Sequence, residues 1–264
     1  MIGLDYLGKM GQLGNQMFQY ASLRGIAHNN SYDFCIPSHN EVVVDVLGNR
    51  LRIELYDAFK LPHLQYKDTI NSTVIQEFGF TFSEEIFMNC PDDVSLSGYF
   101  QSERYFKHIK EEIKEDFTFR SEVTAECRDF IGTCDGAIAL HIRRGDFLRN
   151  SGNHHNLSLD YYEEALSKFD DDRKVIIFTD DPKWAFKQEL FGPKRFYLSD
   201  MNGPYHDMFL MSRCSDFIIA NSTFSWWGAW LADKGKVIAP KKWFGPNNSH
   251  LNTEDLYPDQ WEVI

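Results

Sequence analysis

Cysteine is scarce in this sequence and is not paired. Cys35, Cys90, Cys127, Cys134 and Cys214 are odd in number and widely spaced, with no C-x-x-C among them. That usage fits a reducing compartment rather than a disulfide-stapled secreted domain. Long apolar runs are also missing: no stretch approaches the roughly 18 residues of a membrane span. The opening MIGLDYLGKMGQLGNQ has no charged segment followed by an apolar one of the kind that directs secretion. The expectation is a cytoplasmic protein with at most a peripheral association with membrane. Positive charge is in deficit, 27 Lys and Arg against 39 Asp and Glu, for a formal net charge of -12. An electrostatic hold on nucleic acid is thereby excluded, and any phosphate must be held by a local cluster of cations.

Several motifs are absent or misplaced. Gly8, Gly11 and Gly14 lack the internal spacing of G-x-G-x-x-G, and there is no G-x-x-x-x-G-K-[ST], so dinucleotide and P-loop chemistry lose support. The D-x-D within Asp170-Asp171-Asp172 precedes a predicted strand, the wrong end of a sheet for a metal-diphosphate site, and reads as a solvated charge run. His154 and His155 are adjacent, so their side chains point apart, and no third ligand stands at useful spacing. The expectation is no metal. Several N-x-S/T triplets occur, such as those at 71–73 and 221–223, but the secretory signal that glycosylation requires is not seen. No internal repeat or low-complexity tract is present.

What remains is a globular chain of 264 residues, 43% hydrophobic and 15% aromatic, large enough for one domain or two small ones sharing a cleft. In the second half, short β-rich runs at 137–142 (AIALHI), 175–179 (VIIFT), 216–220 (DFIIA) and 236–239 (KVIA) alternate with helix-like stretches at 159–169, 182–190, 205–215 and 225–234. Such alternation predicts an α/β fold, a parallel sheet with helices on both faces. The first half repeats the idea with strands at 2–7 and 94–97 and helices at 17–28 and 102–116, around an irregular middle at 37–93. A boundary falls in the charged segment between 119 and 135, giving domains 1–130 and 131–264.

In open α/β sheets ligands bind beyond the carboxyl ends of the strands, so the residues that follow each strand matter most. After AIALHI come Arg143, Arg144, Gly145 and Asp146; after VIIFT come Asp180 and Asp181; after DFIIA come Asn221, Ser222, Thr223, Phe224 and Ser225. Adjacent arginines on a loop are often a solvated pair, but at the end of an apolar strand they form permanently charged forks suited to pyrophosphate. The Asn221 to Ser225 turn adds hydroxyls and free N–H groups at a helix start. Trp226 and Trp230, at i and i+4, read as core rather than as a ligand stack. Asp207 is a candidate acceptor for a guanine edge.

The runs GQLGNQMFQYA at 11–21, HIRRGD at 141–146 and NSTFSWWGAW at 221–230 resemble, in order and spacing, the signatures of inverting α-1,2-fucosyltransferases. GYFQSERYF at 98–106 and FTDD at 178–181 resemble two further segments of that family, and the chain is shorter than the family's usual length. The resemblance implies a GT-B type fold of two facing Rossmann-like domains, with GDP-fucose held mainly by the C-terminal lobe, no metal, and a galactose-containing oligosaccharide acceptor met by the N-terminal lobe. Carried onto this sequence, it implies that Arg143 and Arg144 hold the donor pyrophosphate. His141 and Asp207 would lie near guanine or ribose, and Thr179, Asp180, Asn221, Ser222, Thr223 and Ser225 would complete the nucleotide pocket. Gly14, Asn15 and Gln16 match the loop that faces the sugar.

Breaking the fucose-phosphate bond leaves negative charge on GDP and an oxocarbenium-like sugar, so cations are needed at the leaving group and a base at the incoming hydroxyl. Arg143 and Arg144 fill the first role. Asp146 is the preferred base, with an orienting role for the arginines as its alternative, and His154 and His155 lie on a loop able to close over an acceptor. Two other readings stay open: a fucosyltransferase of another linkage or acceptor, and an inactive glycan- or nucleotide-binding module. An acidic cytoplasmic enzyme of this kind would decorate free or lipid-linked oligosaccharides at the inner face of a bacterial membrane.

Overall fold

Two parallel sheets, each with its own helices, organise the chain in a computed structural model that describes residues 1–264 except 39–40, 46–47, 68–72 and 202. Asn71 and Ser72 of the N-x-S/T triplet at 71–73 therefore lie outside the described residues. Residues 1–120 with 252–258 form one compact unit, and 121–251 with 259–264 form the other. Among the described residues no helix is long and apolar enough to cross a membrane.

The first unit runs β1 (Ile2–Gly3), α1 (Leu13–Asn30), β2 (Phe34–Cys35), the antiparallel hairpin β3 (Val43–Val44) and β4 (Arg50–Leu51), α2 (Leu55–Ala58), β5 (Val74–Gln76), α3 (Glu84–Asn89), β6 (Ser95–Ser97) and α4 (Lys110–Asp116). Its main sheet has the order β2-β1-β6-β5, parallel throughout. Helix α1 is buried on nearly every side, and its polar members are bonded internally, as burial requires. Asn15, Gln19 and Ser22 share one face and bond the segment after β6: Gln19 Nε2 donates to the Gly98 carbonyl (2.9 Å), Ser22 Oγ to the Phe100 carbonyl (3.2 Å), and Asn15 Oδ1 accepts from Gln101 Nε2 (3.1 Å). Gly25 lets α1 approach this chain closely, since a Cβ there would lie 1.9 Å from the Tyr105 carbonyl oxygen.

The second unit runs α5 (Ser121–Glu126), α6 (Arg128–Cys134), β7 (Ile138–Ile142), α7 (Gly145–Arg149), α8 (Leu159–Leu166), β8 (Val175–Thr179), α9 (Pro182–Ala185), β9 (Phe196–Leu198), α10 (Pro204–Met211), β10 (Asp216–Ile218), α11 (Thr223–Ala232), β11 (Val237–Ala239) and β12 (Glu262–Val263). The strands lie in the order β12-β11-β10-β7-β8-β9, all parallel. Successive strands leave β7 first on one side, to β8 and β9, and then return to pair β10 on the other. The topological switch point therefore lies between β7 and β10. Ile138, Leu140, Val175, Ile177, Ile218 and Ile238 form a core against Tyr162, Ala165 and Leu166 of α8.

Four expectations need correcting. The boundary falls at 120 rather than 130, because α5 and α6 pack on α10 of the second unit. Residues 252–258 return to the first unit, where Asp255 accepts from the Phe82 amide (2.9 Å) and pairs with Arg104 (2.7 Å). The helix expected over 102–116 begins only at Lys110. Ahead of it stand two 3₁₀ turns, Glu103–Tyr105 and Lys107–Ile109, the first capped by Ser102. Likewise the strand at 2–7 ends at Gly3, where the chain enters a turn closed by the Leu7 amide on the Leu4 carbonyl.

Candidate active site

Strand β7 delivers His141 to the switch point, and α11, which follows β10, delivers Ser225. His141 Nδ1 and Ser225 Oγ lie 2.8 Å apart, a hydrogen bond that joins the two sides of the switch. The imidazole is 5% exposed. Burial, with the Arg143 guanidinium as a second cause, lowers its pKa to about 3, so it is neutral at physiological pH. Phe224 packs beside it with ring centroids 5.4 Å apart.

The arginines follow directly. Arg143 Nη2 lies 2.8 Å from Asp146 Oδ1, and Arg143 Nη1 lies 3.2 Å from Asp180 Oδ2. The Arg144 amide donates to Asp180 Oδ1 (2.8 Å), and its Nε donates to Asp181 Oδ2 (3.3 Å). The Arg144 guanidinium carbon also lies over the Trp184 ring, 3.9 Å from its centroid. Asp181 in turn caps α9 by accepting from the Trp184 amide, and Thr179 Oγ1 accepts from the Asp181 amide (3.0 Å). The residues after β7 and β8 thus form one charge-assisted network that orients two guanidinium groups.

The turn after β10 is equally ordered. Asn221 is 2% exposed, and its Nδ2 donates to the carbonyls of His155 and Trp243, each at 2.8 Å. An asparagine buried and engaged in this way is no glycan acceptor, which disposes of the triplet at 221–223. Ser222 occupies the N-cap of α11 in extended conformation and makes no side-chain cap bond, so the start of this helix faces the end of β10. Behind it Trp226, Trp227 and Trp230 are buried in a cluster with Trp261. Gly228 admits Met211 of α10, whose Sδ would lie 2.3 Å from an added Cβ.

The loop carrying His154 and His155 is no free lid. The Gly245 amide bonds the Asn153 carbonyl (2.9 Å), the Asn247 amide bonds Gly152 (2.8 Å), and the His154 ring stacks on Phe147 at 4.0 Å. Burial lowers the His154 pKa. Among the described residues no group of three or more His, Cys, Asp or Glu is placed to hold a metal ion. The Asp170 to Asp172 run is exposed ahead of β8.

Asp207 stands apart from this network. It sits in the first turn of α10, accepts from Ser199 just past β9, and has its pKa raised by burial to about 6. Gly14, Asn15 and Gln16 belong to the first unit. Gln16 turns inward: its Nε2 donates to the carbonyls of Gly11 (3.1 Å) and Arg52 (2.7 Å), and its Oε1 accepts from the Glu54 amide (2.8 Å). Gly14 is buried, so Asn15 alone of the three is partly exposed. Sequence reasoning missed Trp184 and Ser199, whose partners are distant in sequence. The Pro182-x-Trp184 helix start after FTDD was the available signal for Trp184.

Comparison with known proteins matches residues 6–264 to the model of glycosyl transferase family 11. The chain is 31% identical to the O-antigen biosynthesis glycosyltransferase WbnK of Escherichia coli, over 94% of this chain and 97% of that protein. It is 30% identical to an α-1,2-colitosyltransferase of the same species, over 96% of each. It is also 26% identical to galactoside α-(1,2)-fucosyltransferase 2 of Bos taurus, over 94% of this chain and 74% of that one. Among solved structures, the NodZ α-1,6-fucosyltransferase soaked with GDP-fucose superposes with a TM-score of 0.53 at 15% identity, covering 91% of this chain and 94% of that one. At that identity the likeness is one of fold, the GT-B type.

Proposed function

Because the chain belongs to glycosyl transferase family 11, we propose that it is an inverting glycosyltransferase that moves L-fucose from GDP-β-L-fucose to the 2-hydroxyl of a terminal β-galactoside, giving an α-1,2-fucoside without a metal ion. The observation that carries this reading is the pair of oriented guanidinium groups beside the His141–Ser225 bond, at the switch point where a nucleotide binds in this class of sheet. The α-1,2-fucosyltransferase among its relatives supports the linkage.

Departure of GDP places charge on the pyrophosphate. Arg143 and Arg144 neutralise it in place of a metal ion, with the N-terminal end of the α11 dipole close in sequence to the same turn. Neutral His141 and the hydroxyls of Thr179, Ser222, Thr223 and Ser225 line the nucleotide side, with Asn221 shaping the turn and Asp207 reserved for the guanine edge. Asp146 is expected from the sequence to be the base for the incoming hydroxyl, and its ion pair with Arg143 supports the alternative role, holding that guanidinium toward the phosphate. Asp180 holds the same guanidinium from β8. The acceptor is a galactose-containing oligosaccharide, and membrane association is peripheral at most.

A second donor reading is favoured by one specific finding, the 30% identity to a colitosyltransferase. The purified protein is incubated with EDTA and either GDP-fucose or GDP-colitose, with a panel of β-galactosides. GDP release is followed, and the new linkage is located by NMR. A metal-independent α-1,2-fucoside is expected. Transfer from GDP-colitose alone replaces the donor; GDP binding without transfer from either donor overturns the enzyme reading in favour of a binding module.

A further inference from the structure

The carboxyl edge of the first unit's sheet carries a construction that the donor site does not use. Strand β5 ends at Gln76 and is followed by Glu77-Phe78-Gly79-Phe80; β6 ends at Ser97 and is followed by Gly98-Tyr99-Phe100-Gln101. Glu77 is 7% exposed, and its Oε2 accepts from the amides of both Tyr99 and Phe100, each at 2.8 Å. Burying a carboxylate is costly, and here its pKa is pushed up to about 7 by desolvation. The turn it holds is itself unfavourable, since Phe100 takes a φ of 51°, a left-handed conformation that bulky residues rarely adopt. From the other side α1 grips the same turn through Gln19, Ser22 and Asn15. A strained turn clamped on two sides points to a side chain whose position matters.

That side chain is Tyr99. Its ring stacks on Phe80 with centroids 5.7 Å apart and planes 15° from parallel. Phe78, two residues before Phe80, is 88% exposed. One exposed phenylalanine needs no explanation, but this one lies in the segment, directly after β5, that carries a stacked aromatic partner at the ligand-binding edge of a parallel sheet. Pyranose rings present a face of C–H groups with slight positive charge, which suits the negative face of an aromatic ring, while their hydroxyls stay in water.

We propose that the Phe80–Tyr99 stack, extended by Phe78, is a platform for a sugar ring of the glycan acceptor, and that Glu77 is the positioning residue that holds Tyr99 in place. The inference rests on the transferase reading for the identity of its ligand. Glu77 does not touch the sugar; it acts through the two amides it binds.

The test measures acceptor KM, kcat and GDP affinity on the same preparations, with N-acetyllactosamine as acceptor, and glycan binding by saturation-transfer NMR. Tyr99→Ala and Phe80→Ala are expected to raise acceptor KM about tenfold while GDP affinity, which reports a folded second unit, stays at the parent value. Glu77→Ala follows them. Glu77→Gln, which keeps a carbonyl oxygen before the same two amides, returns KM toward the parent value, and a catalytic carboxylate would show no such rescue. Unchanged acceptor KM in Tyr99→Ala and Phe80→Ala, with transfer intact, overturns the platform and leaves the transferase reading standing. Glycan binding that depends on Tyr99 in a chain that transfers nothing supports the platform and overturns the transferase reading instead.

Discussion

His141 Nδ1 meets Ser225 Oγ at 2.8 Å, and this one bond links the strand that carries the arginine pair to the helix that offers its N-terminus. Because the ring is buried and stays neutral to about pH 3, it contributes to the pH dependence of folding with a definite sign. The unfolded chain binds a proton below about pH 6.5, whereas the folded chain does not. The stability this residue contributes is therefore fully present above pH 6.5 and lost as pH falls, at about 1.4 kcal/mol per unit. His141→Gln lacks that loss. Urea unfolding at pH 7, 5.5 and 4 is expected to show the gap between parent and variant closing with acid, and a constant gap would contradict a neutral ring.

Asp146 offers a cleaner test of roles than either arginine. If it orients Arg143 through the 2.8 Å contact, Asp146→Asn weakens GDP binding as well as turnover. A base for the acceptor hydroxyl would lower turnover and leave GDP affinity alone. Equilibrium titration with GDP beside steady-state rates separates the two, and a loss of affinity is expected.

Arg144 is held by geometry that lysine does not reproduce, the Nε bond to Asp181 and the guanidinium placed over the Trp184 ring. Arg144→Lys keeps the charge, yet is expected to lose roughly 10²-fold in transfer rate, as when one aimed donor is removed. Trp184→Ala loses less, because only the stacking is gone. Equal rates for parent and Arg144→Lys would show that charge alone suffices.

The parts of this molecule that were legible in the sequence share a physical reason. Strands β7 and β8 are continuous apolar runs buried on both faces, which is how parallel strands read, and the residues after them are placed by the strand-end rule. The arginine pair and the turn at Asn221 followed from that. Strand β9 did not, being a three-residue edge strand only partly buried. Helices α5 and α6 resembled a charged linker because most of their surface is solvated and only Val123 and Cys134 are buried. Helix α1 starts four residues before the expected Met17, and Gln12 at its N-cap makes no side-chain cap bond, so no capping residue marked the start. Contacts such as Arg144 on Trp184 join residues with no periodic relation, and only the folded chain reveals them.

Asn221 staples the turn after β10 to two other loops through His155 and Trp243. Asn221→Ala removes two hydrogen bonds at once, one buried and one partly buried, a cost of about 2–3 kcal/mol. Faster amide exchange is expected around 152–155 and 243–247, together with weaker GDP binding. Unaltered exchange in those loops would mean that the Gly245 and Asn247 amide bonds hold them unaided.

The last prediction concerns the buried charges of the first unit, where Arg24 of α1 pairs with Asp116 at the end of α4. Asp116 is fully buried, and it also accepts from the Tyr20 hydroxyl (2.9 Å) and lies 3.0 Å from His63 Nδ1, while Arg24 reaches Glu112 at 3.1 Å. A network so fully satisfied is not proof of large stabilisation, since both ions were taken out of water to make it. Its signature is asymmetry. Asp116→Asn leaves a guanidinium with only the half-exposed Glu112, and Arg24→Met leaves a buried carboxylate; each is expected to cost about 3–5 kcal/mol. Arg24→Met combined with Asp116→Leu removes both charges and should recover much of that loss, giving a double-mutant coupling of several kcal/mol by urea unfolding. Because the pair lies in the first unit and the proposed nucleotide site in the second, GDP affinity of the folded variants is expected to match the parent's. Additive losses would show that the two residues stabilise the fold separately, through packing rather than through their charges.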